Sequence, residues 1–241
     1  MIVINDLKKV YKDVVAVDGL NLTIGDGELF ALLGVNGAGK TTTIKMLSTL
    51  TAPTGGDALI DGYSIVKDGD KIKEIIDVSM QETAIARKLT VEENVEFYAR
   101  LSGQSKEEVA RSKQYVYDVF GFDKVAGKRA ARLSGGWQRK LSIALALVSH
   151  PKVLFLDEPT LGLDVIARRE LWDVIEGLKG KMTIILTTHY MEEAEALADR
   201  IGIMKDGKLL FVGTKQQLFE RSGKTGVEEA FVAIVSGGAY A

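Results

Sequence analysis

The sequence predicts an α/β fold with a mostly parallel sheet, interrupted by a helical insertion. Three observations point there. Short apolar, β-branched runs alternate with helical patterns over much of the chain. A glycine-rich loop joins one buried-looking run directly to a helix. Residues 83–149 hold several helix starts and few strand-like runs. At 241 residues the chain is long enough for a sizeable core. Its 46% hydrophobic and 27% charged residues exclude disorder as the dominant state.

Taken in order, residues 14–17 and 20–24 read as strands, followed by a tight turn at Gly25-Asp26-Gly27. Leu29-Phe30-Ala31-Leu32-Leu33 is a continuous apolar run, the pattern of a strand buried on both faces. The glycine loop follows at once, and residues 42–50 read as a helix. Residues 76–80 are strand-like. Within the insertion, Thr90 followed by Glu93 and Ser105 followed by Glu108 both fit capping boxes. The longest apolar stretch, at 141–148, suits a buried helix. Strand-like runs resume at 153–156, 183–186 and 201–204, separated by helical patterns at 165–178 and 191–198. Lys205-Asp206-Gly207-Lys208 carries an Asp-Gly hairpin signal. No internal repeat or low-complexity tract is present.

Composition excludes several function classes. Thirty-one basic against 33 acidic residues leave a net charge of −2, a poor balance for holding nucleic acid. No cysteine exists, so there is no disulfide, thiolate metal site or cysteine nucleophile. Two histidines, His150 and His189, are too few for a histidine-rich metal site. The start, Met1-Ile2-Val3-Ile4-Asn5-Asp6, lacks the pattern of a secretory signal, and no stretch approaches the roughly 18–20 apolar residues of a membrane span. A cytosolic chain is expected, with any membrane role needing a partner.

Gly34-Val35-Asn36-Gly37-Ala38-Gly39-Lys40-Thr41 matches G-x-x-x-x-G-K-[ST]. Glycines let successive backbone N–H groups face phosphate oxygens, and the following helix adds its positive end. Lys40 is placed to reach the β- and γ-phosphates, and the Thr41 hydroxyl to ligate magnesium. Such a match arises by accident roughly once in a hundred chains of this length, and here it also follows a buried strand and opens a helix. The four apolar residues 153–156 end in Asp157 and Glu158. By themselves these acids also fit a solvated strand end. Beside a phosphate loop, the preferred reading gives Asp157 to magnesium and Glu158 to an attacking water, which it would orient or deprotonate.

In Leu133-Ser134-Gly135-Gly136 a serine and two glycines open a helix, which makes a second anion site of backbone N–H groups. It is similar to the L-S-G-G-Q signature of ATP-binding cassette (ABC) transporters. Over essentially its full length the chain resembles their nucleotide-binding subunit. The order also agrees: phosphate loop, signature, then Leu156-Asp157-Glu158 some twenty residues later. The departure is Trp137, where the short consensus has Gln; packing against a neighbouring helix or subunit explains it as well as any nucleotide contact.

The resemblance implies a P-loop NTPase core with an N-terminal antiparallel β subdomain and an inserted helical subdomain. The whole chain, 1–241, would be one ABC ATPase domain: 1–82 and 150–220 as the nucleotide-binding core, 83–149 as the helical signature subdomain, and 221–241 as a short tail packing as a helix or strand. It implies ATP and Mg²⁺ as ligands. Nucleotide contacts would come from Tyr11, which stacks on adenine, from Gly34, Asn36, Gly37, Ala38, Gly39, Lys40, Thr41 and Thr42, and from Ser134, Gly135, Gly136 and Asp164. Gln81 would touch magnesium or the water, with Thr41 and Asp157 as the other magnesium-side groups. Glu158, His189, Lys40 and Gln81 would carry catalysis, His189 contacting the γ-phosphate. Leu161-Gly162-Leu163-Asp164 matches the loop that crosses the dimer interface. His150 matches nothing in the family and reads as structural, capping the helix before Pro151.

As partners the resemblance implies a separate transmembrane permease and a second ATPase subunit, identical or paired. The chain would be cytoplasmic, peripheral on the inner face of the membrane. Thr187-Thr188-His189-Tyr190-Met191-Glu192-Glu193-Ala194 resembles the drug-export-like (ABC-2 type) subgroup, which implies an exporter of drug, antibiotic, lipid or polysaccharide. A soluble ABC ATPase, such as a cluster-assembly ATPase, is the alternative. Chromosome-maintenance types need a long coiled coil where only about ninety residues lie, and ribosome-associated types carry two cassettes. A P-loop kinase or GTPase leaves Leu133–Gly136 unexplained, and no N-K-x-D motif is present.

Overall fold

A computed structural model describes residues 1–237. The last four residues of the tail expected at 221–241 lie outside the described residues. Along the chain come β1 (Ile2–Tyr11), β2 (Val14–Ile24), β3 (Leu29–Leu33), α1 (Lys40–Leu47), β4 (Gly55–Ile60), β5 (Tyr63–Ser64) and α2 (Gly69–Lys73). Next are β6 (Ile76–Ser79), α3 (Val91–Leu101), α4 (Lys106–Phe120), α5 (Gly135–Leu147), β7 (Val153–Asp157) and α6 (Val165–Leu178). The described chain closes with β8 (Thr183–Thr188), α7 (Met191–Leu197), β9 (Arg200–Lys205), β10 (Lys208–Gly213), α8 (Lys215–Ser222) and α9 (Val227–Val235). They form two compact units, Met1–Glu74 with Lys179 onward, and Ile75–Leu178.

In the first unit, β1 pairs antiparallel with both β2 and β4, and β4 with β5. The sequence predicts two strands across residues 14–24; the structure has one. Gly19, at φ 66, sits between the pairs Leu7↔Leu20 and Lys9↔Val17, where β2 carries an extra residue. The apparent break is a bulge, for which glycine supplies the left-handed residue. β3 pairs parallel with β8 and β9, and β10 returns antiparallel to β9. Every residue of β3 and β8 is buried, as strands covered on both faces require. Asp206 and Gly207, at φ 48 and 77, make the expected Asp-Gly hairpin turn. The described part of the tail contains α9: its Val227, Ala230 and Phe231 are buried, and Lys205 Nζ donates to the Val235 carbonyl.

In the second unit, β6 and β7 pair in parallel beside α3–α6. Both capping boxes in the insertion form, at Thr90 with Glu93 and at Ser105 with Glu108. All nine residues of α5 from Arg139 to Leu147 are buried, which accounts for the long apolar run. His150 takes φ 53 just after that helix, its N–H donating to the Leu147 carbonyl, while its ring meets Ser112 Oγ at 3.0 Å.

Candidate functional site

The first unit builds the phosphate loop from backbone fit. The helix expected from residue 42 begins at Lys40, with Gly39 as its N-cap at φ 106. A Cβ on Gly39 would stand 2.4 Å from the Ala16 carbonyl oxygen, and one on Gly34 2.5 Å from that of Met204. Neither position admits a side chain without moving β2 or β9. The Gly207 N–H donates to the Ala38 carbonyl at 3.0 Å, and the Asp18 N–H to the Gly207 carbonyl at 2.9 Å. The hairpin turn between β9 and β10 thus braces the loop. Lys40 is 5% exposed, and its ammonium donates to the carbonyls of Gly34 at 2.7 Å and Val35 at 3.2 Å. Asn36 and Gly37 are exposed at the crest, Ala38 is buried, and Thr41 and Thr42 are half-buried on the first turn of α1.

Parallel pairing places His189 at the same strand end. Leu33 of β3 is opposite Thr188 of β8, and the Gly34 N–H points to the Thr188 carbonyl at 3.4 Å. His189 and the loop therefore leave neighbouring strands at their carboxyl ends, where α/β sheets bind ligands. The His189 ring lies 4.2 Å from that of Tyr190, and Tyr190 N–H donates to Thr188 Oγ1. Tyr11 stands at the β1–β2 hairpin tip, 43% exposed, with the Lys9 ammonium 4.9 Å over its ring.

In the second unit the register Ser79↔Leu156 sends Gln81 and the pair Asp157–Glu158 off the same end of β6 and β7. Gln81 is exposed, Asp157 fully buried and Glu158 7% exposed. Glu158 has φ 50, a left-handed backbone that costs a non-glycine residue on the order of 1–3 kcal/mol. Ser134 is the N-cap of α5, and Gly135 and Gly136 are its first two residues. A Cβ on Gly136 would come within 2.9 Å of Ala167 Cβ, so α5 and α6 approach closely there. Ser134, Gly136, Trp137, Lys140, Asp164 and Glu170 are among the residues lining a cleft of about 270 Å³. Asp164 Oδ1 accepts from the N–H groups of Ile166 and Ala167 and so caps α6. Trp137 packs near Phe122, ring centroids 6.1 Å apart, and under the Lys140 ammonium, which also pairs with Glu170 at 2.7 Å.

Sequence reasoning missed Arg139. It is 4% exposed, and its guanidinium donates to four backbone carbonyls: Pro159 at 2.7 Å, Asp157 at 2.9 Å, Met80 at 2.6 Å and Gln81 at 3.2 Å. The available signal was an arginine adjoining the apolar run of α5, where burial demands this kind of satisfaction.

Among the described residues no cluster of three or more His, Cys, Asp or Glu side chains could hold a metal by itself. The Thr41 hydroxyl of the first unit and the buried Asp157 carboxylate of the second are each hard oxygen donors of the kind magnesium takes.

The ABC transporter family model matches residues 17–161, which include the phosphate loop, the helix opened by Ser134 and the acidic strand end. The chain belongs to the ABC transporter family. Across 224 residues it is 43% identical to the human phospholipid-transporting ATPase ABCA3, covering 91% of this chain and 13% of that protein. It is also 43% identical to ABC transporter A family member 8 of Arabidopsis thaliana, covering 91% of this chain and 25% of that one. The chain thus spans a quarter or less of these relatives. Among solved structures, an ATP-binding subunit of an ABC transporter superposes with a TM-score of 0.86 at 27% identity, covering 97% of this chain and 99% of that one. A dimeric ATP-binding cassette in a post-hydrolysis state, bound to ADP and Pi, gives 0.79 at 26% identity, covering 89% and 98%. This chain is an ABC ATPase domain, homologous to the ATPase portion of A-family transporters.

Proposed function

We propose that the chain binds and hydrolyses ATP to power a membrane ABC transporter, as a dimer with nucleotide held between a phosphate loop and a partner's signature. The observation that carries this is the braced loop, whose buried Lys40 ammonium rests on its own loop carbonyls and can turn to phosphate. Lys40 and the loop amides would bind the β- and γ-phosphates, and Tyr11 would stack on adenine. Ser134, Gly135 and Gly136 would meet the γ-phosphate of the nucleotide held by the other subunit. Thr41, Gln81 and Asp157 would hold magnesium, which when bound offsets charge on the phosphate oxygens.

Glu158 would orient the attacking water and accept its proton as oxygen bonds to the γ-phosphorus and ADP leaves. His189 would donate to the γ-phosphate, fixing it in line. Asp164, which caps α6, would sit at the subunit boundary. The cargo side is the exporter class, and a lipid is favoured within it because a relative is named as phospholipid-transporting. A separate transmembrane permease would complete the transporter, with this chain peripheral on the cytoplasmic face.

Glu158→Gln tests the chemistry. ATP turnover should vanish while ATP binding persists, and the variant should run as an ATP-dependent dimer in size-exclusion chromatography. Hydrolysis by Glu158→Gln at the wild-type rate would remove Glu158 from its role.

A further inference from the structure

We propose that Arg139 is a positioning residue for hydrolysis, one that fixes the main chain around Glu158 and Gln81 from the helix opened by Ser134. The inference rests on the reading above that these residues act on nucleotide. Its geometry stands apart from that reading. Arg139 donates to the carbonyl before Glu158, that of Asp157, through Nη2, and to the carbonyl after it, that of Pro159, through Nε. One planar group therefore grips the peptide just before the left-handed Glu158 and the carbonyl of the residue just after it. Strained backbone of this kind persists only where its surroundings over-determine it. The remaining terminal nitrogen reaches the carbonyls of Met80 and Gln81.

These four acceptors are main chain, so Arg139 sets where the backbone of the reacting residues stands. Arg139 also lies five residues beyond Ser134, on the same buried helix. A shift of that helix is passed to the backbone at Glu158 and Gln81 through the guanidinium. Lysine cannot substitute, because a single ammonium lacks the rigid fork that reaches acceptors on three sides.

Arg139→Lys and Arg139→Met in the full chain test this below each variant's unfolding temperature. Steady-state turnover should show kcat lowered about 10–100-fold, while affinity for a fluorescent ATP analogue stays within about threefold of wild type. Amide exchange should rise in segments 79–82 and 157–160 and stay unchanged in 34–41. Should Arg139→Met fail to fold, Arg139→Lys carries the test. Unchanged kcat and unchanged exchange in a folded Arg139→Lys overturn the proposal while leaving the site reading intact. A wild-type chain that binds the analogue but never turns ATP over overturns the site reading, and the catalytic role of Arg139 with it.

Discussion

A lysine only 5% exposed needs partners that water no longer supplies. Lys40 meets that need on the carbonyls of its own loop, which was legible only as far as the motif; where the ammonium rests was not. Asp77 poses the opposite problem. Burial pushes its carboxyl up to about 6 from the ordinary 3.8, although the Val78 N–H and the Ser149 hydroxyl pull the other way. The unfolded chain releases this proton first, so between roughly pH 4 and pH 6 the folded state holds the extra one. The associated stability is present below that window and is lost as pH rises through about 6, by on the order of 3 kcal/mol. Thermal unfolding should show wild type losing ground to Asp77→Asn between pH 4 and pH 6.5. Parallel pH profiles for the two proteins would contradict it.

Among elements, helix starts were the most readable because their chemistry is local. In the box that opens α4, the Ser105 N–H donates to Glu108 Oε2 and the Glu108 N–H to Ser105 Oγ. Backbone and side-chain hydrogen bonds from Ser105 hold the Glu108 carboxyl below its usual range. Ser105→Ala should lower stability by about 1 kcal/mol and Ser105→Asp should spare most of it, measured by urea denaturation. Equal midpoints for Ser105→Ala and wild type would show that the box contributes nothing. Other boundaries depended on distant neighbours. Gly19 reads locally as a turn, yet its place opposite β1 makes it a bulge. A third capping box, Thr214 with Gln217, went unread, though it follows the same spacing.

For the whole molecule, the parallel pairing was legible because buried strands carry continuous apolar runs, as β3, β7 and β8 do at 29–33, 153–156 and 184–186. The Arg139 clamp was not, because its acceptors are carbonyls, which any sequence possesses. Among the described residues no helix is long and apolar enough to cross a membrane. The transporter reading therefore requires membrane-spanning protein beyond them, as the far longer relatives suggest. Gentle purification of the tagged protein from its native membrane fraction should bring down polytopic membrane protein whose association changes with ATP. A soluble partner alone would move the weight to the non-transport ABC ATPases.

The hairpin turn at Asp206-Gly207 has an implication for selectivity. Because its backbone holds the phosphate loop from outside, the mould exists before anything enters it, and ordering that loop costs the incoming molecule little. What such a mould recognises is a string of phosphates, common to every nucleoside triphosphate. On the reading that Tyr11 meets the base, its exposed ring at the hairpin tip offers a stacking face, which every base can meet. On that reading the site would grip its fuel by charge and be nearly blind to its letter.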